Sequence, residues 1–280
     1  MKNICNTAVC LVLLLLLGAC NVFKFIPPEE KLYTGATLKL KAEGKVDGGK
    51  KDLKYELEDV VSPEPNKKIF GARLGLWLHF KAQDGFGKKI YRKLDKRYGE
   101  KPVYMSNVNT VRNEKILVNR LENNGYFGGE ATSEVSEKER TGSVTYHIKV
   151  PEPYFIQTYT YLPDSSAIYT SLQGVFKDSL IKAGKQFDTD LLKEERIRID
   201  SYLKNKGFYY FNPDYLVFTM DTNQYKDKRF DLYISVKNNI PREAVRRYRM
   251  NNITVYPDYA IDQDVSIYSD CLLYTSAAAD

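Results

Sequence analysis

The sequence predicts an α+β protein built from two copies of one unit, a small sheet covered by helices on one face. Three observations carry that reading. Tyr is abundant, with 22 among 280 residues, and aromatic side chains suit pleated, half-buried sheet surfaces better than long helical bundles. Two stretches, Ile116 to Phe127 and Arg198 to Tyr209, each read as an amphipathic helix that ends in a glycine and an aromatic pair. Each is followed by two strand-like runs and then by another that opens the next unit.

The chain begins with a leader. Met1-Lys2 gives a short positive start, and Ala8 to Leu17 is an apolar run holding Leu13 to Leu17 in succession. That run falls short of the about 20 residues a membrane-spanning helix needs. It fits the apolar region of a secretory signal peptide, here residues 1–19. Leu17-Gly18-Ala19-Cys20 follows directly and resembles the lipobox of bacterial lipoproteins, with Cys20 offering the thiol for acylation. A mature chain starting at Cys20 keeps Cys271 as its other cysteine, so no disulfide framework is expected. Several acyl chains on Cys20, at about 0.8 kcal/mol per buried CH₂, would hold the protein on a membrane. Asn21-Val22-Phe23 has neither the Asp that resembles an inner-membrane retention signal nor an acidic cluster resembling a surface-export signal. The expected location is the outer membrane, lipid-anchored and facing the periplasm.

The first unit is assigned to residues 20–151. A strand is predicted at Thr37 to Ala42, then a long insertion with helical pieces between Leu53 and Tyr98. Next comes a helix capped by Asn107 or Asn113, on which Leu117 and Leu121 share a face. Gly125 sits where a helix ends in the left-handed conformation. Strands follow at Gly129 to Val135 and Ser143 to Val150, closed by Pro151. The second unit, 152–241, repeats the order. It has a strand at Tyr154 to Leu162 and a helix capped by Asp188 or Asp190 with Ile199 and Leu203 on one face. Gly207 stands at its turn, and strands at Tyr215 to Met220 and Arg229 to Val236 precede Pro241. Residues 242–270 start a third unit, with a strand over Tyr248 to Tyr256. Residues 271–280 continue no earlier pattern and resemble translated sequencing adapter, so a non-native tail is expected there.

The helix ending in Leu-x-x-x-Gly and two aromatics, followed by two strands and the next unit's first strand, resembles the POTRA domains of the BamA/TamA outer-membrane assembly superfamily. Phe25-Ile26-Pro27, Leu32-Tyr33, Pro65-Asn66, Phe70-Gly71, Glu100-Lys101-Pro102-Val103 and Arg246-Arg247-Tyr248, behind Cys20, resemble the TamL-type lipoproteins within it. That resemblance covers roughly Cys20 to Val255. It implies the translocation and assembly module as the setting, with protein insertion into the outer membrane as the task. It also implies unfolded outer-membrane protein clients, a TamB-like periplasm-spanning partner and a carboxy-terminal barrel. No stretch here reads as the many alternating strands of about ten residues that such a barrel needs.

Little in the sequence points to catalysis, and no catalytic, cofactor-binding or metal site is expected. His79 and His147 lie far apart, with no Cys-x-x-Cys or His-Glu-x-x-His nearby. No phosphate-cradling glycine motif and no Gly-x-Ser-x-Gly elbow is present, and Gly85-Phe86-Gly87 reads as a turn. Glu194-Glu195 reads as negative charge near a helix start. The net charge of +6 comes from interleaved signs, with no Lys/Arg-only block, so no nucleic-acid partner is expected. Arg242, Arg246, Arg247 and Arg249 form the sharpest basic cluster, fit for lipid headgroups or an acidic partner, or for a solvated hinge. What remains is backbone chemistry. The strand after each glycine–aromatic turn is expected to be a free sheet edge that an extended segment can join. The rival reading is an outer-membrane lipoprotein enzyme or a glycan-binding module.

Overall fold

The computed structural model describes residues 22–253 apart from 45, 47, 70, 84–86 and 164–166. Residues 1–21 with Cys20, the close of the expected third-unit strand and the expected tail at 271–280 lie outside the described residues. The chain divides into two compact units. One is Met1–Thr160 with Ile181–Lys193 and Thr219–Tyr233, and the other is Tyr161–Leu180 with Glu194–Phe218 and Ile234–Asp280.

The fold is α+β, with small sheets and helices, as the sequence predicts. In the first unit a long strand β1 (Leu32–Ala42) leads into helix α1 (Lys50–Asp59), then α2 (Leu74–Gln83), α3 (Lys88–Tyr98) and α4 (Thr110–Asn123). Strands β2 (Glu130–Glu137) and β3 (Thr141–Val150) follow. The sheet order is β1-β3-β2, with β1 parallel and β2 antiparallel to the central β3. Along β3, Val144, Tyr146, Ile148 and Val150 are buried while Thr145, His147 and Lys149 alternate toward solvent. One face is therefore covered and the other wet. Leu53 and Leu57 of α1 and Leu117 and Leu121 of α4 close the covered face. Burying each such leucine contributes about 2 kcal/mol.

β1 starts earlier than the sequence suggests. Gly35 has φ 127° and the pairing register slips between Tyr33 and Ala36, so a bulge interrupts the alternation that marks a strand. α4 is capped by neither predicted asparagine. Asn109 accepts from the Arg112 amide at 2.9 Å and holds the cap. Asn107 accepts instead from the Tyr104 amide at 2.9 Å in a short 3-10 turn, and Asn113 is buried in the core.

Farther along come β4 (Phe155–Tyr161), the short helix α5 (Ala167–Leu172), α6 (Thr189–Asn205), β5 (Leu216–Asp221) and β6 (Arg229–Val236). These strands form a sheet in the order β4-β6-β5. Asp188 precedes α6, and its Oδ1 accepts from the Asp190 amide at 2.8 Å. Among residues 248–253 no strand forms, which corrects that part of the expected third-unit strand.

Candidate functional site

Both helix ends are built alike. Gly125 has φ 82° and Gly207 φ 96°, left-handed values that glycine reaches without strain. The Gly125 and Gly207 amides donate to Glu122 and Lys204, both at 3.0 Å, and the next amides, Tyr126 and Phe208, donate to Leu121 and Leu203. A further bond also recurs. The Gly125 carbonyl accepts from the Tyr154 amide at 2.9 Å, and the Gly207 carbonyl accepts from the Tyr248 amide at 2.7 Å. Each glycine turn thus holds the chain where a new segment begins.

The turn delivers the next strand to the outside of its sheet. β2 and β5 are both edge strands. The other edge is partly covered, by the same device in both sheets. Residues before α4 pair with the start of β1, the Tyr33 amide donating to Val103 and the Met105 amide to Lys31, each at 2.8 Å. Residues before α6 pair with the start of β4, where Ile156 donates to Lys185 at 2.8 Å and Phe187 to Tyr154 at 2.8 Å. Nothing in the sequence signals these covering segments, because each is too short to alternate.

The direction of the β2 groups follows from its register. Lys138 donates to Thr141 at 2.7 Å across the hairpin, and Glu137 pairs with Gly142. In an antiparallel ladder every second residue faces its partner. Glu130, Thr132, Glu134 and Ser136 therefore face β3, and Ala131, Ser133, Val135 and Glu137 turn their N–H and C=O outward. On β5 the Lys237 amide donates to the Tyr215 carbonyl at 2.9 Å, which joins the start of β5 to the end of β6.

The two edges differ in chemistry. β2 is acidic, yet each glutamate meets a basic group: Glu130 with Lys149 at 3.8 Å, Glu134 with His147 Nε2 at 3.3 Å, and Glu137 with Lys31. Exposed pairs of this kind contribute about 0–1 kcal/mol each. Val135 is 48% exposed on the helix side of the strand. Beside it a cleft of about 440 Å³ opens, walled by Met105, Val108, Glu30 and Glu137. On β5 the Phe218 ring lies 5.3 Å under the Arg196 guanidinium.

Other polar groups serve structure. Glu195 is fully buried rather than at the helix start. Burial pushes its carboxyl up, and hydrogen bonds from Arg198, the Leu180 amide and Ser179 outweigh that and hold it below the usual carboxylate range. Arg247 of the basic cluster donates to Ser171 at 2.7 Å and lies over Phe208, while Arg242, Arg246 and Arg249 are exposed. A second cleft, of about 860 Å³, is lined by Leu53, Tyr126, Phe155 and Phe187, all in the compact unit that holds Met1–Thr160 and Ile181–Lys193. Its Glu56 is already bonded to Asn124 and Arg120.

No protein-family model matches the chain, and no curated protein does. Solved structures do resemble it. POTRA domains 3–5 of BamA from Haemophilus influenzae are 13% identical, with a TM-score of 0.41, covering 79% of this chain and 70% of that one. POTRA domains 1–2 of Omp85 from Anabaena are 10% identical, with a TM-score of 0.34, covering 80% of this chain and 100% of that one. BamA from Haemophilus ducreyi lacking POTRA domains 1–3 is 15% identical at a TM-score of 0.35, and this chain spans 28% of it.

Proposed function

We propose that the chain is the POTRA portion of a TamL-like lipoprotein, anchored through Cys20 to the outer membrane and facing the periplasm. It works in the assembly or translocation of outer-membrane proteins, by binding rather than covalent catalysis. Unfolded client segments, or a TamB-like partner, add as an extra strand to the edges of β2 and β5. The boundaries 20–151 and 152–241 are the units so assigned, and 242–270 opens a third.

The observation that carries this reading is the repeated edge arrangement. In both sheets the strand after the glycine–aromatic turn is an edge, while the opposite edge is taken at its start by the chain itself. A free edge recognises backbone first, so it can accept many sequences in extended form. The cleft beside Val135 adds room for a side chain of the added strand.

A photoreactive residue at Ser133 tests it. Extended peptides from outer-membrane strands should crosslink there, and Val135→Pro should cut the yield about tenfold, because it removes an outward donor from the new ladder. Equal crosslinking by the parent and Val135→Pro proteins would refute strand addition at β2.

A further inference from the structure

Helix α3 wears its apolar stripe on the outside. Ile90, Leu94 and Tyr98 are spaced four apart and share one face, yet they are 68%, 39% and 57% exposed. The residues it turns inward are Tyr91, edge-on to Trp77 at 5.6 Å, and Asp95, 3.2 Å from His79 Nδ1. None of its residues is buried. A surface helix ordinarily points its apolar stripe at the core, so burial within its own unit does not explain this pattern.

Next to the stripe, helical spacing gathers Lys89, Arg92, Lys93, Lys96 and Arg97 into one continuous arc, all exposed. Asp95, the helix's acid, is turned away toward His79. A basic arc flanking an exposed apolar stripe is the pattern of a helix lying in a bilayer interface. The occupant implied by that charge is anionic.

The neighbouring elements tie this helix to the amino terminus of the mature chain. Phe25 stacks on Phe80 of α2 at 5.4 Å, and Val22 and Ile26 are buried with Leu76 and Phe80. Lys24 and Lys81 lie over the Phe25 ring at 5.0 and 5.8 Å and add to the basic surface. Cys20 is two residues before Val22, a separation that spans at most about 7 Å. Whatever holds residue 20 at a bilayer also brings the α2–α3 hairpin to it.

We propose that α3 is a membrane-contact helix: it lies on an anionic phospholipid surface, with Ile90, Leu94 and Tyr98 sunk at the acyl boundary and the cationic arc on headgroup phosphates. One acylated cysteine and one basic amphipathic helix make two membrane signals, which together hold a protein far longer than one. This goes beyond strand addition and does not rest on it, while the acyl signal rests on the Cys20 anchoring proposed above.

The test uses the mature chain from residue 20 carrying Cys20→Ser, so that no acyl group contributes, pelleted with vesicles. Phosphatidylglycerol-containing vesicles should bind it and phosphatidylcholine vesicles should not, and salt should weaken the binding. The molecule's single tryptophan is Trp77, against α3, so spin-labelled lipid should quench its emission. Ile90→Ser with Leu94→Ser should reduce binding at least about tenfold. Lys93→Gln, Lys96→Gln and Arg97→Gln should each reduce it about fivefold. Equal binding to both lipid compositions, or parental binding by the stripe variant, would overturn the proposal. So would a lower thermal midpoint or a changed oligomer mass in the stripe variant, since another segment or a second copy would then cover the stripe.

Discussion

The carbonyl of Gly125 accepts the amide of Tyr154 at 2.9 Å, and the Phe187 backbone, whose amide donates to Tyr154 in turn, leaves no room for a side chain at the glycine. A Cβ there would stand 2.8 Å from the Phe187 carbonyl oxygen, and one at Gly207 would stand 2.7 Å from that of Tyr248. Gly128 has nearly the same φ, 80°, with nothing within 4 Å. The left-handed conformation alone costs an alanine about 1 kcal/mol. Gly128→Ala should therefore lose about 1 kcal/mol, and Gly125→Ala and Gly207→Ala about 3 kcal/mol as the backbone shifts. Denaturant unfolding of the three variants reads the difference directly.

Asn113 ties the first core to the loop beyond α1. Its side-chain amide donates to the Ser62 carbonyl and to the Tyr146 hydroxyl, both at 2.8 Å, and the residue is 1% exposed. Removing one partner strands the others, at about 1–3 kcal/mol per buried group. Asn113→Ala should cost about 3 kcal/mol and Tyr146→Phe about 1 kcal/mol, with the double variant losing less than the sum. Nearby, burial and then the neighbouring Tyr146 push the Tyr33 hydroxyl up to about 12. Because the folded value is raised, the stability Tyr33 provides is complete below its ordinary value of 10 and is lost as pH rises toward 12. Tyr33→Phe should flatten that alkaline limb, measured by unfolding across pH 9 to about 12.

Glu195 gives the acid counterpart. Its carboxyl is held low despite burial, so its contribution is present above the ordinary glutamate value of about 4.3 and fades as pH falls below that. Glu195→Gln should weaken the protein at neutral pH and reduce the slope of stability on the acid side. Arg198→Ala should be costlier, about 3–5 kcal/mol, since it leaves a buried carboxylate without its cation. Guanidinium-free urea melts at pH 7 and pH 3 separate the two effects.

Arg73 is a different case. It is 7% exposed, its Nε and Nη2 have no partner among the described residues, and burial lowers its affinity for the proton. Arg73→Met keeps the apolar stem and removes the unpaired donors, and should stabilise by about 1–3 kcal/mol. A thermal midpoint that falls would show that the guanidinium makes a bond essential to α2.

The sequence announced the repeat because Leu117 with Leu121 and Ile199 with Leu203 sit at helical spacing before a glycine, a pattern set by local chemistry. The two strands after each glycine were legible from their alternation, as at Val144, Tyr146 and Ile148. The buried role of Glu195 was not, since two adjacent acids look alike in sequence whether solvated or sunk against Arg198. Nor was the covering of β1 by Val103, because a pairing of two residues leaves no periodicity. The α3 stripe was present as Ile90, Leu94 and Tyr98, but whether such a stripe faces a core or solvent depends on where α2 lies.

The outward set on β2 can be checked without any client. If Val135 turns its amide away from β3, Val135→Pro removes no ladder bond and should cost less than about 1 kcal/mol, because an edge position tolerates proline. Glu134, paired with Thr145, turns its amide toward β3. Glu134→Pro should break that bond and cost about 3 kcal/mol. Hydrogen exchange adds an independent reading, with the Val135 amide exchanging quickly and the Glu134 amide protected. Equal losses from the two prolines would mean that β2 is not paired in the register that leaves Ala131, Ser133 and Val135 free, and the edge would then lack the donors an incoming strand requires.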